Sequence, residues 1–217
     1  MMKNLNVSIL GIPIPDRMKR LPISNKGYPV PWFVAHYMGD WDFRVIAPGK
    51  IESAVKRKLC WLCGQPLGVH TVFVVGSMCT VNRVSAEPPS HLECADYAAR
   101  ACPFLTKPKM RRNEIDMPED GKEPGGIMLK RNPGVTALWV TKSYQPFRAG
   151  EGVLFEIGKP ERVLWFAEGR TATRAEVMAS ICSGMPLLEA EAMKEGKVAM
   201  EALAQCFTRS QSLLPST

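Results

Sequence analysis

Cys60-Trp61-Leu62-Cys63-Gly64 and, further along, Ser90-His91-Leu92-Glu93-Cys94 set out two short ligand pairs, Cys-x-x-Cys and then His-x-x-Cys. Three thiolates and an imidazole in that order can close a tetrahedron around one zinc ion. The first pair suits a tight knuckle, because Gly64 permits the positive φ that turns backbone amides toward the sulfurs and Pro66 ends the turn. The second pair follows Pro88-Pro89, with Ser90 placed as a helix N-cap and Glu93 as its partner in a capping box. His91 and Cys94 then fall in the first turn of that helix, at i and i+3 on one face. The partial positive charge at a helix N-terminus also favours thiolate there.

This arrangement resembles a treble-clef zinc finger over roughly residues 58 to 102. The resemblance implies a knuckle bearing Cys60 and Cys63, a β-hairpin within residues 68–84, a helix bearing His91 and Cys94, and a structural Zn2+. More broadly, Gly27-Tyr28-Pro29-Val30-Pro31-Trp32-Phe33-Val34, residues 59–68 and residues 82–95 are similar to segments of uncharacterised bacterial and prophage proteins. That likeness carries no known activity, but it points to a phage-related or mobile-element setting. Another metal or cluster, or thiols without metal, are the competing readings of the same four residues. Cys79 is the reserve ligand. Cys102, if helical with Cys94, is rotated away from it by about 80°; Cys79 and Cys102 read as small buried hydrophobes, and Cys182 and Cys206 as helix-face core.

Outward from the two pairs, the pattern is that of an α+β protein with small antiparallel β blocks, short helices and an embedded treble-clef-like zinc site. Residues 1–25 hold Pro13, Pro15 and Pro22 beside Arg17, Lys19 and Arg20, which predicts a loose basic arm. Residues 26–112 contain a β-hairpin, Pro31-Trp32-Phe33-Val34-Ala35-His36-Tyr37 against Asp42-Phe43-Arg44-Val45-Ile46 about a Gly39-Asp40 turn, and then the zinc module. Ile51, Val55 and Leu59 have helical spacing, and Thr71-Val72-Phe73-Val74-Val75 reads as a buried strand. Residues 103–134 read as a long loop, with 113–134 its Pro/Gly-rich part.

Residues 135–217 predict a β-meander, with strands over 135–141, 153–157 and 162–166, followed by two helices. Thr173 and Glu176 form a capping box opening a helix through about Cys182, which Gly184 and Pro186 terminate; a second helix covers 187–207, weakened at Gly196. The expected arrangement is one compact unit made of 26–112 and 135–217.

The chain of 217 residues is long enough to bury a core without help from a metal. No run approaches the roughly 18 apolar residues that a spanning helix needs. Seven cysteines, an odd number, and no leader-like stretch point to the reducing cytoplasm instead of a disulfide framework. The formal charge of +7 is unevenly placed: residues 1–112 carry 16 Lys and Arg against 7 Asp and Glu, a net of +9 that leaves −2 for the remainder. A basic half with Lys56, Arg57, Lys58, Arg83, Arg100, Arg111 and Arg112 suits an anionic partner such as nucleic acid. A protein-interaction role, as inhibitor or accessory factor of a mobile element acting through the proline loop or C-terminal helices, is the alternative.

Catalytic readings find little support. No Gly-rich phosphate loop precedes a helix and no Gly-x-Ser-x-Gly elbow is present. An HNH-like nuclease needs a general-base histidine with a further metal ligand, and His70 is the sole candidate near that position. His36, the acidic residues Asp40, Asp42 and Glu52, and the aromatics Trp32, Phe33 and Trp41 have ordinary structural roles as their first reading.

Overall fold

The fold centres on two strands that are apolar on both faces. Thr71–Gly76 (β3) and Thr136–Thr141 (β5) pair antiparallel in continuous register from Thr71 against Thr141 to Gly76 against Thr136. Every residue of β5 is buried, as expected of a strand covered on both sides. Arg162–Ala167 (β8) adds to β5, and the short Arg170–Thr171 (β9) completes a four-stranded antiparallel sheet in the order β3-β5-β8-β9. The structure is a computed structural model and describes residues 5–108, 110–115, 131–150 and 152–216.

Ahead of this sheet lie the hairpin Val34–Tyr37 (β1) and Asp40–Ile46 (β2), the helix Lys50–Arg57 (α1), and the knuckle. Ser77–Asn82 (α2) follows β3, then Val84–Ser85 (β4), Leu92–Ala101 (α3) and Pro103–Thr106 (α4). Tyr144–Ala149 (β6) and Gly152–Ile157 (β7) form a hairpin whose β7 pairs with β4, making a three-stranded sheet in the order β4-β7-β6. Arg174–Glu195 (α5) and Lys197–Ser210 (α6) close the chain. The α+β class with small antiparallel sheets is thus observed, with six α-helices among the described residues.

Strand alternation divides the core. Phe73, Val75, Ala137, Trp139, Trp165 and Ala167 face one way, meeting Phe155 and Ile157 of β7 and Val177 and Ile181 of α5. Val72, Leu138, Val140 and Phe166 face the other way and receive Ala95 and Ala99 of α3. That second layer presses the helix bearing half of the candidate metal site against the central sheet.

Several expectations change here. The sequential meander is not formed: β5 and β8 belong to one sheet and the β6–β7 hairpin to another, because β5 takes β3 as its neighbour. β6 itself is not expected from its sequence; it is an edge strand with Pro146 in its middle, and only its neighbour's side is paired. The capping box of Thr173 and Glu176 is present and opens α5. Instead of ending at Gly184 and Pro186, however, α5 runs through both to Glu195, and the break falls at Gly196. Val177, Ser180, Ile181 and Gly184 form its buried stripe, and Gly184 lies where a Cβ would stand 2.4 Å from Met78 Sδ, so close packing on α2 favours glycine there. Cys182 is exposed, not core, whereas Cys206 packs partly buried against the main core.

The N-terminal segment is not loose. Residues 5–21 carry two 3-10 turns, Val7–Ile9 and Asp16–Met18, and bury Ile9 and Met18 to 1% and 3% exposure. Of the long loop expected over 103–134, α4 is helical, and residues 116–130 lie outside the described residues. No helix among the described residues is long and apolar enough to cross a membrane.

Candidate metal centre

The knuckle is built by its backbone. The Cys60 amide donates to Gln65 O at 2.8 Å and the Gly64 amide to Cys60 O at 2.8 Å, while Leu59 and Pro66 form an isolated antiparallel bridge. Gly64 has φ of +70° and a Cβ there would stand 2.5 Å from Trp32 Cδ1, so both conformation and space require glycine. Trp61, 2% exposed, stacks on Phe33 with ring centroids 4.5 Å apart and meets Trp32 edge-on. Trp32 and Phe33 therefore pack the knuckle, leaving Trp41 against His36 in the β1–β2 hairpin.

The second pair is placed differently from the capping box expected of it. Ser90 is extended and exchanges two backbone hydrogen bonds with Val72 at the edge of β3, at 2.9 and 2.7 Å. The helix starts one residue later, with His91 as N-cap and Cys94 in the first turn, and Glu93 turns outward to Arg17 at 2.7 Å. The residues still converge, because the Trp61 amide donates to Pro89 O and the His91 amide to Cys60 Sγ at 3.4 Å, drawing knuckle and helix start together.

Cys60, Cys63, His91 and Cys94 are all buried, and their ligand atoms lie within 4.8 Å of one another. Two sulfurs at about 2.3 Å from one ion in tetrahedral array stand about 3.8 Å apart, so the group has the dimensions of a four-ligand site. Cys63 Sγ and His91 Nδ1 are 3.4 Å apart. On the other side of the ring, His91 Nε2 lies 3.0 Å from Pro66 O, a carbonyl that can only accept. Nε2 therefore carries a proton and Nδ1 is the nitrogen turned toward the sulfurs, the arrangement that orients a metal-bound imidazole.

The electrostatics express the same crowding. Hydrogen bonds with Cys63 and then Cys94 hold the Cys60 thiol well below the usual thiol range, and those with Cys60 and then Cys63 push Cys94 well above it. Contact with Cys60 and Cys63 raises the His91 imidazole to about 10. Three sulfurs and one imidazole nitrogen are a donor set that could hold a metal ion. All four candidate donors come from the protein.

Cys79, the reserve ligand, is not in this group; burial pushes its thiol up to about 11, and burial raises Cys102 likewise. The hairpin implied within residues 68–84 is replaced by β3, whose partner β5 is distant in sequence, and by α2. Knuckle and helix-borne pair remain from the treble-clef pattern; its hairpin does not.

The basic residues are less concentrated. Lys56, Arg57 and Lys58 stand exposed together at the end of α1. Arg83 ends α2 in the left-handed conformation and lies over the Trp139 ring at 5.7 Å. Arg100 pairs with Asp96 at 2.8 Å and covers Phe166, while Arg111 bridges Arg131 and Arg112 donates to Arg44 O at 3.0 Å. His70 bonds to Glu161 at 2.6 Å, and Lys142 holds the other carboxylate oxygen. Asp42 pairs with Arg44 at 2.6 Å and Asp40 accepts from the Trp41 amide.

Two arginines have a role at the site that their sequence positions do not disclose. Arg20 Nη2 donates to Cys63 O at 3.0 Å, and Arg17 joins Gln65 of the knuckle to Glu93 of α3. The signal available was the apolar residues between them and around them, Ile9, Ile12, Ile14, Met18 and Leu21, too many for a solvated arm. Comparison with protein-family models, curated proteins and solved structures finds no match to this chain.

Proposed function

We propose that the chain is a zinc-stabilised, non-catalytic binding protein whose basic N-terminal half contacts nucleic acid. The observation that carries this reading is the buried ligand set, Cys60, Cys63, His91 and Cys94, which supplies four protein donors and leaves a tetrahedral ion no open position for substrate. The metal then has a shaping role. Support for the partner is the charge of the first half and the exposed run Lys56, Arg57 and Lys58 beside the knuckle, where the Leu67 amide donates to Lys58 O. Phosphate contacts release counterions, so binding falls steeply with salt.

Fluorescence anisotropy with labelled DNA and RNA across a salt series tests it. Salt-sensitive binding is expected, and the double variant Lys56→Gln/Arg57→Gln should lower the slope of log K against log salt by about 2. Absence of binding at low salt to either polymer sinks the nucleic-acid reading.

A second reading, an accessory or inhibitory protein of a mobile element that binds another protein, rests on the C-terminal helices. Met193 and Val198 are 69% and 79% exposed on either side of the α5–α6 junction. Capture of a protein partner from nuclease-treated lysate, lost on Met193→Glu/Val198→Glu, would favour it. An HNH-like nuclease gains a histidine–carboxylate pair in His70 and Glu161, yet among the described residues no second group of metal ligands stands beside it.

A further inference from the structure

We infer that the metal centre is a latch for the N-terminal segment: ion binding orders residues 5–21, and loss of the ion releases them while the central sheet persists. This inference rests on the metal reading of the four ligands.

Away from the site the segment has few anchors. It contributes no strand to any of the three sheets, and its backbone hydrogen bonds are local turns such as Ile9 N to Asn6 O, Ile12 N to Ile9 O and Leu21 N to Met18 O, apart from the Asn6 amide, which donates to Gly27 O; Asn6 Nδ2 to Lys26 O and the Ser8–Tyr28 hydroxyl pair tie its start to the same loop. Isolated turns of this length do not persist in water. Its buried side chains, Ile9 and Met18, lie in one apolar cluster with Cys60, Leu62, Cys63, Cys94, Tyr97 and Ala101, and that cluster is distinct from the core around Phe73 and Trp139. Leu5, Ile12, Ile14 and Leu21 add to the same cluster.

Its polar contacts grip both halves of the centre. Arg20 holds the knuckle through Cys63 O, and Arg17 spans from Gln65 of the knuckle to Glu93 of α3. An ion bound by Cys60 and Cys63 on one side and His91 and Cys94 on the other fixes the distance between these two supports. Without the ion the two supports keep the Trp61 amide to Pro89 O bond but lose the cross-link through the four ligands, and the surface that Ile9, Met18, Arg17 and Arg20 fit is loosened. Residues 11–17 also form one wall of a cleft of about 840 Å³ whose other side is Glu93, Asp96, Tyr97 and Arg100. The latch therefore governs that cleft and the display of Arg17, Lys19 and Arg20.

Peptide-resolved hydrogen–deuterium exchange on the full chain, with metal content measured on the same samples before and after chelation, reads the latch. Removal of zinc should speed exchange in residues 6–21 roughly 5- to 150-fold, the span of ordinary coupling between sites, and leave β3, β5 and β8 protected. By reciprocity Met18→Ala should weaken zinc affinity, read by equilibrium competition with a chromophoric chelator, by a factor in the same range, while Val177→Ala, a comparable loss in the other core, should not. A segment that keeps its protection without zinc, or that opens only together with the central sheet, overturns the latch alone. A protein that is purified without metal and takes up no added zinc overturns the metal reading and the latch with it.

Discussion

Glu87 is the residue at which burial and charge conflict most sharply outside the ligand set. Burial pushes its carboxyl up to about 7, an effect partly offset by Trp61, whose indole N–H approaches it without closing a hydrogen bond of good geometry. The folded value lies above the ordinary 4.5, so the stabilisation of the neutral form is complete below pH 4.5 and is lost as the pH rises through about 7. Glu87→Gln, which stays neutral, should match the parent in stability near pH 4 and exceed it at pH 8 to 9 by at most about 3 kcal/mol. Denaturant melts across that pH range check this, and a difference independent of pH would contradict it. At this scale the sequence was most informative about the ligands. Cys60, Cys63, His91 and Cys94 were legible because metal chemistry demands particular side chains at particular spacings. Arg17, Arg20 and the Pro66 carbonyl were not, since their role depends on where an irregular segment is folded back.

Among the elements, α3 has two working faces. Ala95 and Ala99 seat it on the central sheet, while Cys94, Tyr97 and Ala101 face the metal cluster, so the sheet fixes the height and rotation of the second ligand pair. The helix starts one residue later than the Ser90 capping box implies because Ser90, a good N-cap by type, spends its backbone groups on Val72 at the edge of β3. A long-range pairing outweighed a local preference. The same holds for α5, where packing of Val177, Ser180, Ile181 and Gly184 carries the helix through Pro186. Pro186 lacks the N–H that would bond the preceding turn, and its ring crowds that turn. Pro186→Ala should therefore raise stability, by about 1 to 3 kcal/mol; an unchanged or lower melting temperature would show that the proline itself is needed for packing. Strand order was not legible either. β3 and β5 read correctly as strands, but nothing local announces that they are neighbours or that β6 and β7 leave for another sheet.

Two of the molecule's apolar clusters differ in what they depend on. The core around Phe73, Trp139, Phe155 and Trp165 is closed by strand pairing and by α5, and Trp165 Nε1 ties the C-terminal turn to the sheet through Leu213 O at 2.8 Å. The cluster around Ile9, Met18, Tyr97 and the ligand residues has the four ligands at its centre. Metal removal should accordingly unfold part of the chain and not all of it, with the central sheet retained. The α+β class was legible because strand and helix periods differ; the division of labour between the clusters was not, because it depends on contacts between residues far apart in sequence. Elemental analysis of freshly purified protein tests the central claim most directly, alongside Cys60→Ser and Cys206→Ser variants. About one zinc per chain is expected, absent in Cys60→Ser with a lower melting temperature and retained in Cys206→Ser. A metal-free protein that refuses added zinc and melts unchanged in chelator would contradict it.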